Sequence, residues 1–220
     1  MLFLLALMAL LLPVRGQDKQ DQHASCAFWA SIDECTKNPG YMVSNCPVSC
    51  ATKSTTTPET TQITSFYDLK ETSMDNKPLT FEWFRGRVVY IVNVASYCGY
   101  TADNYAQFRA LKKYSPEGLV MLLAPCNSFG SQEPGDAVAI AAFAQSQEFN
   151  GIILAKGEVN GDNTRPLFEF LKRVAQRPQI SWNFDGKFLV SRSGEVFAVT
   201  ADSLEEQVKT LLAEPYNTEL

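Results

Sequence analysis

Residues 88–108 read "VVYIVNVASYCGYTADNYAQF". The run VVYIVNVA is almost wholly apolar, the pattern of a strand buried on both faces of a sheet. A lone cysteine, Cys98, follows it. Beyond the cysteine, Tyr105, Phe108, Leu111 and Lys112 recur at helical spacing. No second cysteine stands three positions on, so this is not a C-x-x-C redox pair. A residue between a buried strand and a helix lies at the C-terminal edge of the sheet, where open α/β sheets bind ligands. It also lies at a helix N-terminus, whose partial positive charge favours thiolate over thiol. The same position suits a buried, inert cysteine, and position alone does not choose between the two.

Downstream, elements of the two types alternate. A second apolar strand, "LVMLLAP", is followed by a helix in "DAVAIAAFAQSQ" and a short apolar run, "GIILA". A helix in "RPLFEFLKRVAQ" has Pro166 in its first turn, where its missing N–H costs nothing. Strands "KFLVS" and "EVFAV" form a hairpin turning at "RSGE", and a helix, "SLEEQVKTLLA", follows. This order predicts an α/β fold, a sheet sandwiched between helices.

Upstream the character changes. The whole chain has 220 residues, 45% hydrophobic and 20% charged, which suits a folded core plus a small appendage. A net charge of -5 gives no reason to expect nucleic acid or anionic lipid as a partner. The apolar run at residues 2–12 is too short to span a bilayer. Residues 1–16 read as a signal peptide cut before Gln17, although no basic residue precedes the apolar run; an uncleaved anchor is the alternative. This reading places the protein outside the cell. The terminal "NTEL" shares only two letters with an ER-retention signal.

Four cysteines, Cys26, Cys35, Cys46 and Cys50, crowd into residues 17–53. So short a segment buries too little apolar surface to fold unaided, and in a secreted chain the staples are disulfides. Four cysteines allow three pairings. Zinc is disfavoured, because there is no C-x-x-C and the only histidine is His23. Residues 54–63 lie in "ATKSTTTPETTQITS", whose seven threonines build no core, and read as a flexible linker open to O-glycosylation. No N-glycosylation sequon occurs.

The small segment resembles the ShK-like (ShKT) toxin-type domain. Eight, ten and three residues separate its successive cysteines, and "NPGYM" and "CPVSC" surround them. The family's first and sixth cysteines, which pair with each other, fall at Lys19 and Lys53 and are lost together here. The resemblance implies Cys26–Cys46 and Cys35–Cys50. Channel-blocking toxins of the family use a Lys-Tyr pair; here Gly40 precedes Tyr41. A compact adhesive or spacing module, with an extracellular or membrane-protein ligand, is expected instead.

Residues 64–214 carry a second resemblance. "NVASYCGYT", "PCNSFGSQEPG", "VNGDNTRPLF" and "WNFDGKFLVSRSG" stand in the order of the glutathione peroxidase family. The resemblance implies a thioredoxin-like fold, a central mixed sheet flanked by helices. It implies that Cys98 is the peroxidatic residue, with Gln132, Trp182 and Asn183 completing the catalytic set. Amide and indole N–H groups donate to a sulfur anion without titrating. The substrate is then hydrogen peroxide or an organic or lipid hydroperoxide. No metal or cofactor is implied, only glutathione or another small thiol as reductant. Relatives that use thioredoxin carry a resolving cysteine in the helix after the glutamine motif, where this chain has Ala144. Cys126, the remaining thiol, reads as a buried strand-end residue, with a resolving role as the alternative. The short connection between "LFEFLKRVAQ" and "ISWNF" lacks the insertion of tetrameric relatives, so a monomer with an open site is expected. The competing reading is a non-enzymatic redox sensor or interaction protein that acts through the ShK-like module.

Overall fold

The computed structural model describes residues 20–31, 34–55 and 62–216. The expected signal peptide lies outside them, as does most of the expected linker. The chain divides into two compact units, Met1–Gln62 and Ile63–Leu220.

The first unit is helical. It contains α1 (Cys26–Ser31), α2 (Glu34–Lys37), α3 (Pro39–Asn45) and α4 (Pro47–Thr55). The last helix reaches into the stretch read as linker. Prolines open α3 and α4, where no N–H is missed. The Asp21 carboxylate accepts from the backbone N–H groups of Val48 (2.8 Å) and Ser49 (3.1 Å) and so caps α4. The disulfides Cys26–Cys46 and Cys35–Cys50 have Cα separations of 5.2 and 5.8 Å. Cys26, Met42 and Cys46 are buried, with Trp29, Cys35 and Cys50 packed around them. A core of that size explains why the unit needs its cross-links.

The second unit holds a five-stranded mixed sheet. Before it, β1 (Lys70–Thr72) and β2 (Pro78–Thr80) pair antiparallel, flanked by 3-10 turns at Phe66–Asp68 and Phe81–Phe84. The sheet comprises β3 (Val88–Val94), β4 (Leu119–Pro125), β5 (Ile152–Ile153), β6 (Lys187–Val190) and β7 (Val196–Ala198), in the order β5-β4-β3-β6-β7. The pairs β3–β4 and β4–β5 are parallel; β3–β6 and β6–β7 are antiparallel. Helices α5 (Thr101–Leu111), α6 (Ala137–Ser146), α7 (Pro166–Val174) and α8 (Leu204–Ala213) complete the unit. All seven residues of β3 are buried, as its almost wholly apolar run predicts, and Asn93 is buried with them.

Alternation along the strands divides the core. Val88, Tyr90, Val92 and Val94 pack on one face with Tyr105, Phe108 and Leu111 of α5 and with α8. Val89 and Ile91 pack on the other with Leu167, Phe168, Phe170 and Leu171 of α7. Lys112, grouped with the α5 stripe by spacing, is exposed and belongs to a following 3-10 turn, Lys112–Glu117. The buried ion pair Arg165–Glu71 (2.7 Å) ties α7 to β1. Glu71 also accepts from the Leu167 N–H at 3.3 Å, in the first turn of α7.

Candidate active site

Cys98 sits in the loop from β3 to α5, a free thiol with 8% of its surface exposed. Thr101, the first residue of α5, fixes that loop. Its Oγ1 donates to the Ala95 carbonyl (2.7 Å) and accepts from the Cys98 N–H (3.2 Å), while its own N–H donates to the Cys98 carbonyl (3.0 Å). Tyr97 and Tyr100 flank the thiol and are exposed.

Two further loops join this one. The Tyr97 N–H donates to the Gln132 carbonyl (3.0 Å), and Ser96 Oγ donates to the buried Glu133 carboxyl (2.8 Å). Burial pushes the Glu133 carboxyl up from the ordinary range. The loop is closed from behind by Lys156, whose Nζ donates to the carbonyls of Glu133 (3.1 Å) and Gly135 (2.7 Å). Its turn passes through left-handed backbone at Gly130 and Ser131.

The third loop carries Trp182 and Asn183. Asn183 is buried, and its Nδ2 donates to Gln132 Oε1 (2.8 Å) and to the Phe129 carbonyl (3.3 Å). The sequence suggests Asn183 as a direct donor to sulfur; in this arrangement both amide hydrogens go elsewhere, and the residue orients Gln132. Asn183 Oδ1 is buried and meets no donor among the described residues. Trp182 is 41% exposed, stacks at a tilt on Phe129 with centroids 5.9 Å apart, and stands beside Gly130.

What holds this third loop escapes the sequence reading. Asn93 is the last residue but one of β3 and has no exposed surface. Its Nδ2 donates to the Trp182 carbonyl (3.0 Å), and its Oδ1 accepts from the Gly186 N–H (2.7 Å). Its backbone carbonyl accepts from Phe184 (2.9 Å), a residue in left-handed backbone at φ 61°. The one signal was a lone amide inside an otherwise apolar strand. Lys187, the first residue of β6, is likewise buried, on the Cys98 face of the sheet beside Phe184. Its Nζ donates to Asn104 Oδ1, and Asn104 donates to the Tyr100 carbonyl (2.8 Å). Burial lowers the Lys187 ammonium to about 8, partly offset by Asp185.

Cys126 has no exposed surface and belongs to the core on the α7 side of the sheet, whereas Cys98 and Ala144 belong to the α5 side. The Cys126 thiol donates to Ser128 Oγ (3.3 Å). The central sheet therefore lies between the two free thiols.

Residues 66–172 match the glutathione peroxidase family model, and residues 19–52 match the ShK domain-like model. The glutathione peroxidase-like peroxiredoxin GPX5 of Chlamydomonas reinhardtii is 41% identical over 157 residues, spanning 67% of this chain and 96% of the relative. The hydroperoxy fatty acid reductase Gpx2 of Synechocystis is 45% identical over 58% of this chain and 81% of its own length. Among solved structures, the crystal structure of T. cruzi GPX1 superposes with a TM-score of 0.53 at 30% identity, covering 70% of this chain and 99% of that one.

Proposed function

This chain belongs to the glutathione peroxidase family, with an ShK-like domain and a thioredoxin-like fold, and is a peroxidase oxidoreductase; from that premise we propose that Cys98 is its peroxidatic residue and works in a one-cysteine cycle. The observation that carries the reading is the union of three loops at Cys98, through Tyr97 N–H to the Gln132 carbonyl and Gln132 Oε1 to Asn183.

The Cys98 thiolate attacks one oxygen of R–O–OH. An S–O bond forms, the O–O bond breaks, and RO⁻ leaves and takes up a proton as ROH. The sulfur is oxidised to sulfenic acid. In this reading Gln132 Nε2 and the Trp182 indole N–H stabilise the charge that develops on sulfur and on the leaving oxygen. Asn183 holds the Gln132 amide in its donor orientation, and its own buried Oδ1 is an acceptor for a hydroperoxide O–H. A small thiol, glutathione or another, then condenses with the sulfenic acid and releases water. A second thiol attacks the mixed disulfide, which restores the Cys98 thiol and releases the disulfide of the two small thiols.

Two placements support an external reductant. Ala144 stands where thioredoxin-dependent relatives keep a resolving cysteine, and Cys126 faces the other side of the sheet. Tyr97, Tyr100 and Trp182 are exposed aromatics on the loops of the site, which supports bulky lipid hydroperoxides as substrates. A relative bearing the name hydroperoxy fatty acid reductase agrees with that substrate class. The short segment from α7 to Trp182 supports a monomer, and the N-terminal apolar run with two disulfides supports secretion.

The test is peroxide consumption by the purified protein, with glutathione and thioredoxin compared side by side. Cys98→Ser is expected to abolish turnover, and Gln132→Ala to lower it by roughly 10²–10³, the scale for losing one preorganised donor. Wild-type turnover by Cys98→Ser overturns the assignment.

A further inference from the structure

The small unit carries a cavity of about 420 Å³ lined by Phe28, Trp29, Glu34, Asn38, Tyr41 and Met42. Its walls are aromatic. The rings of Trp29 and Tyr41 meet nearly at right angles, 73° apart with centroids at 6.1 Å, and so form a corner. His23 stacks on the Trp29 ring at 4.5 Å and braces it. Phe28 and Tyr41 are largely exposed, whereas Met42 is buried in the unit's core. Phe28 and Tyr41 therefore turn toward solvent around the cavity, while Trp29 rests against the core and forms its inner wall.

Aromatic faces are electronegative, and ring corners of this kind attract cations. Glu34, in the opening turn of α2, adds a carboxylate. No described lysine or arginine lines the cavity. The lining also selects among cations. A primary ammonium is strongly hydrated and needs acceptors for three N–H donors, which one carboxylate and one amide serve poorly. A quaternary ammonium has no N–H to satisfy. Its methyl groups are apolar, and its charge is spread over them.

We propose that this cavity binds a quaternary ammonium group, of the trimethylammonium class carried by choline compounds. The assignment goes beyond the peroxidase chemistry and does not depend on it. The same chemistry is offered by a soluble choline compound and by a phosphatidylcholine headgroup. In the second case the site would hold the enzyme at a surface that contains lipid hydroperoxides.

The test uses the full chain with both disulfides intact. Isothermal titration with phosphocholine and with tetramethylammonium should show saturable binding. Choline should bind likewise, and its neutral isostere 3,3-dimethylbutan-1-ol at least about tenfold more weakly than choline, since between those two only the charge differs. Trp29→Ala should weaken phosphocholine binding at least about tenfold, and Glu34→Gln several-fold, whereas Tyr41→Phe, which keeps the ring face, should bind within about twofold of wild type. Peroxide turnover should be unchanged in all three variants. Glu34→Gln and the neutral isostere keep the test decisive if Trp29→Ala fails to fold. Co-sedimentation with phosphatidylcholine vesicles, competed by phosphocholine, supports the lipid headgroup as source. Phosphocholine binding without sedimentation supports a soluble compound. Absence of binding by the soluble quaternary ammonium probes, equal binding of the neutral isostere, or wild-type affinity in Glu34→Gln overturns the proposal.

Discussion

Replacing Asn93 by leucine would test how the third loop of the site is held. The side chain has no exposed surface and bonds both ends of the turn from Trp182 to Gly186. Leucine keeps the burial but strands the Trp182 carbonyl and the Gly186 N–H. Each stranded group costs about 1–3 kcal/mol. Crowding adds to this, since Asn93 Oδ1 lies 2.7 Å from the Gly186 nitrogen, closer than a leucine methyl can approach. We expect a total near 4 kcal/mol, which for a unit of this size lowers the unfolding midpoint by about 8–16 °C. The kinetic effect should be separate. With the turn loosened, Phe184 is released from its left-handed backbone, and Trp182 and Asn183 lose their registration on Gln132. A displacement of about 1 Å costs on the order of 10²-fold in rate. The assay pairs thermal unfolding followed by near-ultraviolet circular dichroism with peroxide turnover measured well below the variant's midpoint. An unchanged midpoint would refute the hydrogen-bond accounting. A lowered midpoint with full kcat/KM would refute the positioning role and leave Asn93 a core residue only.

Other consequences are as direct. Excess peroxide given alone should inactivate the enzyme by driving Cys98 to sulfinic and sulfonic acids, and glutathione mixed in beforehand should protect it; a Cys98–Cys126 disulfide in the mass spectrum after one equivalent of peroxide would contradict this. Arg165→Met leaves Glu71 buried without its partner and should cost about 3–5 kcal/mol in urea unfolding, largely recovered by adding Glu71→Leu. The Lys187 ammonium is lowered to about 8 by burial from an ordinary 10.5. Between those values the unfolded chain binds more protons than the folded one, so this group makes stability rise with pH across that window, by at most about 3 kcal/mol. Lys187→Met should flatten the difference between urea midpoints taken at pH 8 and pH 10; an undiminished rise would rule Lys187 out as its source.

The elements that hold most of the core were legible because they are long and strongly patterned. β3 is an apolar run broken only by Asn93 and β4 is apolar throughout, and Tyr105, Phe108 and Leu111 mark the buried stripe of α5. The β1–β2 hairpin was not, because strands of three residues show no period. "GIILA" yields a strand of only two residues, since its pairing with β4 ends at Ile153. At the site, Cys98, Gln132, Trp182 and Asn183 stood out through family motifs, but the groups that hold them did not. Asn93 is hidden in an apolar strand, Thr101 looks like an ordinary first residue of a helix, and Lys187 looks like a polar strand end. Asn93 and Lys187 act on partners far along the chain, Trp182 and Asn104, which local patterning does not encode, and Thr101 acts through the fold of its own loop, back to Cys98 and Ala95.

The two pairs of bonded cysteines all lie before residue 51, and both unpaired thiols lie after residue 97. On the secretion proposed above, which puts synthesis in an oxidising compartment, the first four can find one another before Cys98 has left the ribosome. When Cys98 does appear, its nearest unpaired neighbour in sequence is Cys126, and the growing sheet places that thiol behind a wall of valine and leucine. The order of residues and the two-sided sheet together act as a safeguard against scrambling. One polypeptide can thus mature under oxidising conditions and still deliver a reduced sulfur to its substrate.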